Sequence, residues 1–359
     1  MKRLISLLLS LLLVVGAASG CAETNGAKER FSILYFDTFD TLISLIGYAD
    51  DQETFNRIAE EAHQTFLKLH RLFDAYNEYE GIANICTLNR TAAQAPVQVD
   101  PELMDLLVLC KEQQPGLHGT VNIAMGSVLL LWHDYREAGL DDPAAAQLPP
   151  MEALQAAAAH TNMDDVVLDT QNMTVFFADP ELKLDVGAVA KGFATERVAR
   201  QLEASDMPSF IISAGGNVRA GAAPADGRAA WGIGIQRPEG FTLSTSEDDL
   251  VEIVYLNDMS VVTSGDYQRY YTVDGVRYHH LIDPTTLMPA TYYRSVSILT
   301  RDSGMADLLS TAAFLLPYEE SRALVESLEG VEAIWVMPDE SVRMTDGAAA
   351  VAASQGAGQ

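Results

Sequence analysis

Apolar residues recur at helical spacing along 51–76, where Phe55, Ile58, Ala59, Ala62, Phe66, Leu69 and Leu72 share one face, and this predicts a long amphipathic helix. His63 and His70 on that helix read as solvated or core-edge side chains, because no second ligand sits at a suitable offset. The preceding run, 32–49, mixes β-branched and aromatic residues in partial alternation and predicts a strand or hairpin. Further helices are predicted over 101–114, opened by Pro101; over 125–139, ending at Gly139; over 151–160, after Pro149-Pro150; and after Gly192. Two strands flank a polar turn in 166–179, and glycine-punctuated strand patterns cover 209–222, 231–238, 248–258 and 259–266. The pattern returns to helix at 304–317 and 319–330, then to strand at 331–339. Helices and antiparallel-looking strands are mixed without regular βαβ alternation, which predicts one large α+β domain rather than a doubly wound sheet.

The two ends read differently. Lys2 and Arg3 precede an apolar run, 4–18, that is shorter than the roughly 20 residues of a membrane span. Ala18-Ser19-Gly20 then leads into Cys21, the arrangement of an export signal. It resembles the bacterial lipobox, in which that cysteine is lipidated. The expected division is a signal peptide over 1–20, a polar tether over 21–30, a folded domain over 31–345 and a disordered low-complexity tail over 346–359. Of the other cysteines, Cys86 and Cys110, the second ends an apolar run and reads as a buried thiol.

Charge narrows the function. The 359 residues carry 50 Asp+Glu against 23 Lys+Arg, a formal net charge of −27, which excludes a sequence-independent nucleic-acid binder. Any phosphate-bearing ligand must be met by a metal ion, backbone N–H groups or a local cation. Four segments offer such groups. In 183–196, Asp185, Gly187, Lys191 and Gly192 interrupt an apolar run leading into a helix, either as a tight turn or as an anion cradle. In 211–221 a strand runs into Gly215-Gly216-Asn217, either a turn or a close backbone approach to a ligand. In 260–284, Ser264, His280 and Asp283 resemble a hydrolase triad, but no G-x-S-x-G elbow accompanies them. A histidine among these aromatics also suits a ring contact or proton transfer. In 304–316, Asp307 and Thr311 stand four apart in an apolar helix, so both oxygens share a face. Two hard oxygens suit Mg²⁺; the competing reading is Thr311 bonding back to the Asp307 carbonyl.

In this order the segments resemble the ApbE-type family of FAD:protein FMN transferases over roughly 31–340. Supporting runs are 72–89, ending in Leu-Asn, and GTVNIAMGSVLLLW at 119–132, beside KLDVGAVAKGFATE, AGGN, WGIGIQRP, TSGDYQRY, HLIDP and ADLLSTAAF. The resemblance implies a T-fold-like body of mixed and antiparallel sheets packed with helices. It implies an exported, often membrane-anchored enzyme that takes FAD and Mg²⁺, joins FMN through a phosphoester to a threonine or serine of a partner protein, and releases AMP. The partners it implies are flavoprotein subunits of ion-pumping redox complexes or extracellular reductases. By motif position, Ala188, Asp307 and Thr311 would hold the metal. Phe39, Tyr76, Thr120, Val121, Asn122, Asp185 and Lys191 would contact FAD, and His280 would be the base or a flavin contact. Asp40, Asn122 and Leu287 depart from the family's usual glycine, aspartate and glycine. The rival functions are a lipoprotein that holds FAD without transfer and an FAD pyrophosphatase. A solute-binding lipoprotein should lack the Asp307–Thr311 pair, and a nicotinamide dehydrogenase should carry a G-x-G-x-x-G that is absent here.

Overall fold

The computed structural model describes residues 28–238 and 247–358, so the export signal and Cys21 lie outside the described residues. The chain opens with strands β1 (Glu29–Thr38) and β2 (Thr41–Ala49) and helix α1 (Gln52–Phe73). Then come α2 (Ile85–Thr91), β3 (Val97–Gln98), α3 (Pro101–Gln113), α4 (Gly126–Asp141) and α5 (Met151–Ala158). The middle comprises β4 (Val166–Asp169), β5 (Thr174–Phe177), α6 (Ala190–Glu203), β6 (Phe210–Ala214), β7 (Asn217–Ala220), β8 (Trp231–Gln236) and β9 (Leu250–Leu256). The last third is β10 (Met259–Gly265), β11 (Tyr270–Val273), β12 (Val276–His279), β13 (Ser295–Thr300), α7 (Ser303–Phe314), α8 (Tyr318–Glu326), β14 (Glu332–Val336), β15 (Val342–Met344) and α9 (Asp346–Ala350).

One antiparallel sheet organises the body, in the order β1-β2-β6-β7-β10-β13-β14-β15. Its strands are apolar on both sides because both faces are covered. Ile43, Leu45, Ile212, Val262, Ile298 and Trp335 point into a core with α1, α6 and α7. The alternate positions Tyr48, Val261, Leu299 and Ile334 point into a second core under the β8–β9 hairpin, with Trp231, Ile233 and Val254. This period of two sorts side chains between the cores, so a one-residue register slip would exchange them. A third, smaller core joins α4, α5 and the β11–β12 hairpin through Met125, Val128, Trp132, Leu154, Tyr271, Ile282 and Leu287. The predicted α+β architecture holds. Among the described residues no helix is long and apolar enough to cross a membrane.

Several local expectations change. Helix α4 passes through Gly139 to Asp141. A Cβ at Gly139 would stand 2.7 Å from the Tyr271 ring, so the glycine admits a neighbour rather than ending the helix. Helix α6 begins at Ala190, which puts Gly192 inside its first turn. Leu287 takes φ 59° where glycine would be unstrained. That conformation costs about 1–2 kcal/mol, whereas full burial of a leucine contributes about 1.5–3 kcal/mol. Leu287 is 6% exposed, and its carbonyl accepts the Trp132 indole N–H at 3.0 Å, so packing outweighs the strain.

The C-terminal run is ordered, contrary to the low-complexity reading. Ala348 and Ala352 are fully buried, Ala352 bridges Val254 on β9, and Ser354 donates to the Glu252 carboxylate at 2.5 Å. Small residues there are packing residues, since only they fit beneath β9. Replacing Ala352 with aspartate should therefore bury an unpaired carboxylate and cost about 2 kcal/mol or more. A chemical-denaturation midpoint unchanged by Ala352→Asp would mean that the tail does not dock.

Candidate active site

The site is built where α6 and α7 touch. Gly192 sits in the first turn of α6, and its N–H donates 2.8 Å to Asp307 Oδ2 on α7 instead of to the Ala188 carbonyl one turn back. Among the described residues that carbonyl accepts no hydrogen bond. Only glycine permits the approach: a Cβ at 192 would lie 2.3 Å from the Ser303 carbonyl oxygen and 2.5 Å from Asp307 Cβ. Asp307 is 5% exposed, and burial raises its carboxyl pKa above the usual range. Lys191, the Gly192 N–H and Asn217 each favour the charged form and only partly offset the burial. Burial likewise lowers the Lys191 ammonium, with Asp307 opposing.

Hydroxyl bookkeeping fixes Thr311. Ser310 Oγ donates to the Asp307 carbonyl at 3.0 Å, so the proton between Ser264 Oγ and Ser310 Oγ, 2.8 Å apart, comes from Ser264. The Thr311 hydroxyl, 3.3 Å from Ser264 Oγ, then donates to Ser264 and keeps its lone pairs free. It is thus Ser310, not Thr311, that bonds back to Asp307. Asp307, Thr311 and Ala188, whose carbonyl is unpaired among the described residues, all line one cavity. Among the described residues no three His, Cys, Asp or Glu side chains converge to hold a metal. A cation here would be met by mixed hard oxygens with positions left for phosphate and water, a donor set that fits Mg²⁺.

His280 stands in the wall of the same cavity, just after β12. Its backbone N–H donates to the Arg269 carbonyl at 3.1 Å, and its Nδ1 lies 3.3 Å from the same oxygen. Because a carbonyl only accepts, that contact places the proton on Nδ1 and leaves Nε2 as an acceptor. The pKa of His280 is held well below its ordinary value, first by burial and then by the charges of Arg269, His279, Lys191 and Arg136. No hydrolase triad forms. Ser264 is engaged by Ser310 and Thr311, and Asp283 Oδ1 accepts the Thr285 N–H at 2.7 Å.

The cavity, about 910 Å³, brings together all the site positions expected within the described residues: Phe39, Tyr76, Thr120, Val121, Asn122, Asp185, Ala188, Lys191, His280, Asp307 and Thr311. That is large for a ligand site, which typically spans about 300–1,000 Å³. Phe39 and Asp40 form the tight turn between β1 and β2, with φ 55° and 49°, which explains why glycine suits position 40. Gly215 and Gly216 form the β6–β7 turn, also at positive φ, and line the cavity, so the turn and ligand readings coincide. Asn122 donates to the Thr161 carbonyl at 2.7 Å and accepts the Ala124 N–H at 2.9 Å. An aspartate would repel that carbonyl, so the amide is the residue this loop needs. Asp185 Oδ1 accepts the Gly187 N–H at 2.7 Å, shaping the turn ahead of α6.

Among the cavity residues that the sequence reading passed over are His133 and Arg136. His133 stacks on Tyr76 with ring centroids 4.3 Å apart, and Arg136 lies 2.9 Å from His133 Nδ1. Their spacing of three on α4 was the available signal. His70, read as solvated or core-edge, is half-buried at the core's edge, where it accepts the Phe39 N–H at 3.2 Å and lines the cavity.

A hard-oxygen cluster, a histidine and several cations thus line one cavity of an α+β body. The sequence model of the ApbE family matches residues 39–335, and the chain belongs to that family. A Treponema pallidum protein named FAD:protein FMN transferase is 38% identical over 278 residues, 73% of each chain. A Klebsiella pneumoniae protein of the same name is 29% identical over 76% of this chain and 83% of its own. The structure of the ApbE protein from Thermotoga maritima superposes with a TM-score of 0.76 at 28% identity, covering 89% of this chain and 98% of that one. Flavin transferase ApbE from Vibrio cholerae shares the fold, with a TM-score of 0.71 at 22% identity over 89% of this chain and 97% of that one.

Gly192→Ala should force α6 and α7 apart, cost about 1–3 kcal/mol and displace the Asp307 carboxylate. The thermal midpoint and transferase activity should fall together, and an alanine variant with native values of both would contradict the packing described.

Proposed function

We infer that this chain is an FAD:protein FMN transferase, and the observation that carries the reading is the free Ala188 carbonyl beside Asp307 and Thr311 in a cavity shared with His280. The substrate is FAD, and the second substrate is a threonine or serine hydroxyl of an acceptor flavoprotein. The acceptor oxygen bonds to the FMN phosphorus, the bond from that phosphorus to the bridging oxygen breaks, and AMP leaves with that oxygen. His280 Nε2 takes the hydroxyl proton, with Nδ1 held by the Arg269 carbonyl. Ala188, Asp307 and Thr311 would hold Mg²⁺, which when bound neutralises phosphate charge in a chain whose net charge of −27 otherwise repels a dinucleotide. Phe39 and Tyr76 supply ring surfaces for the flavin or adenine, with Thr120, Val121, Asn122, Asp185 and Lys191 lining the space between. Export and lipidation at Cys21 would place the enzyme on a membrane surface facing exported acceptors; a native mass lacking 1–20 and carrying acyl chains is the expected result.

The direct test is AMP release from FAD with a threonine-bearing acceptor peptide, in Mg²⁺ and in EDTA. Mg²⁺-dependent AMP matched by flavinylated peptide is expected, whereas FMN and AMP without modified peptide would replace transfer by hydrolysis. Asp307→Asn should lower the rate by about a hundredfold or more. His280→Ala should lower it about 10²–10⁴-fold. Because the His280 pKa is lowered, the base is already neutral at and above the ordinary imidazole value of 6.5. The rate should stay level from about pH 8 to about pH 6.5 and decline only on the acid side. A decline beginning above pH 7 would remove His280 as the base.

A further inference from the structure

Among the described residues three cations, Lys191, Arg136 and Arg269, line the cavity, and they differ in their surroundings. Lys191 feels the charge of Asp307 without a direct ion pair to it. Arg136 is shared between His133 and Glu137, at 2.9 and 3.3 Å. Arg269, in the loop from β10 to β11, is exposed to the cavity, and among the described residues its side chain has neither a hydrogen bond nor an ion pair. Its nearest acidic neighbour in sequence, Asp266, is taken by Arg294 at 2.8 Å. In a chain with 50 acids against 23 bases, a guanidinium left unpaired beside a cavity is conspicuous. Its main chain is committed: the Arg269 carbonyl receives both the backbone N–H and the Nδ1 side of His280. The Arg269 backbone and the His280 imidazole are therefore tied together, and the guanidinium springs from the same stretch of cavity wall.

Resting on the transferase reading, we propose that Arg269 is a catalytic residue that grips the phosphoryl group being transferred, through its non-bridging oxygens, from the His280 side. During transfer the acceptor oxygen–phosphorus bond forms as the phosphorus–bridging oxygen bond breaks. The proton passes to His280 Nε2 and AMP carries away the bridging oxygen. The non-bridging oxygens keep their negative charge throughout, and a planar guanidinium with five donors engages two of them at once. The Asp307 side then serves the departing phosphate and the Arg269 side the one that stays with the flavin. A ligand bearing that phosphate should feel Arg269, and riboflavin, which lacks it, should not.

The test compares wild type, Arg269→Gln and Arg269→Lys by quenching of flavin fluorescence with FMN and with riboflavin, both in EDTA, alongside thermal denaturation. Arg269→Gln should weaken FMN by about tenfold or more while changing riboflavin less than about twofold. Arg269→Lys should fall between, and the thermal midpoint should not move. Equal weakening of FMN and riboflavin would make Arg269 a structural or ring contact, and no change in either would remove it from the site; both overturn the proposal. With acceptor and Mg²⁺ present, Arg269→Gln should lower kcat more than it raises KM for FAD. If the wild-type chain releases no AMP from FAD, the transferase reading fails by itself, and the FMN-to-riboflavin comparison still decides the phosphate contact.

Discussion

One hydrogen bond, from the Gly192 N–H to the Asp307 carboxylate, sets the geometry on which the site depends. It draws α7 against the first turn of α6 so closely that no side chain fits at 192. It removes the donor that the Ala188 carbonyl would otherwise receive, and it gives a buried carboxylate one of the partners it needs. The central sheet supplies the backing. Strand β10 lies under α7 and carries Ser264, whose hydroxyl orders Ser310 and Thr311. A helix contact thus becomes a cluster of three oxygen donors without any cluster of acids.

The electrostatic design follows from the same constraint. On the transferase reading, a strongly acidic chain receives a dinucleotide that carries two phosphates. It gathers Lys191, Arg136 and Arg269 around one cavity, and their fields, added to burial, keep His280 neutral. On that reading, attraction of the substrate and preparation of His280 as the base are two consequences of one arrangement. The price appears in stability, because burial disfavours the charged forms of both Asp307 and Lys191.

Much of this was legible in the sequence, for physical reasons. Helical spacing marked α1, α3, α7 and α8, and polar groups set into apolar runs marked Asp185, Lys191, Asp307 and Thr311. What stayed hidden were contacts between distant segments. Gly139 looked like a helix end because only the fold brings Tyr271 to it, and the alanine-rich tail looked disordered because only the fold puts β9 beneath it. Asn122 stood out in the sequence only as a departure from the family's aspartate, and the fold supplies its acceptor, the Thr161 carbonyl. His133 and Arg136 were unremarkable on α4 until Tyr76 and the cavity lay beside them.

The measurement that tests the central claim most directly is titration of the chain with Mn²⁺ in place of Mg²⁺, following the free-ion paramagnetic resonance signal, for wild type and Asp307→Asn. If the Gly192–Asp307 contact assembles the cation site, wild type should bind one Mn²⁺ per chain, and the variant should bind at least about tenfold more weakly with its fold intact. Equal affinity in the two proteins, or no binding by wild type with FAD present, would contradict it.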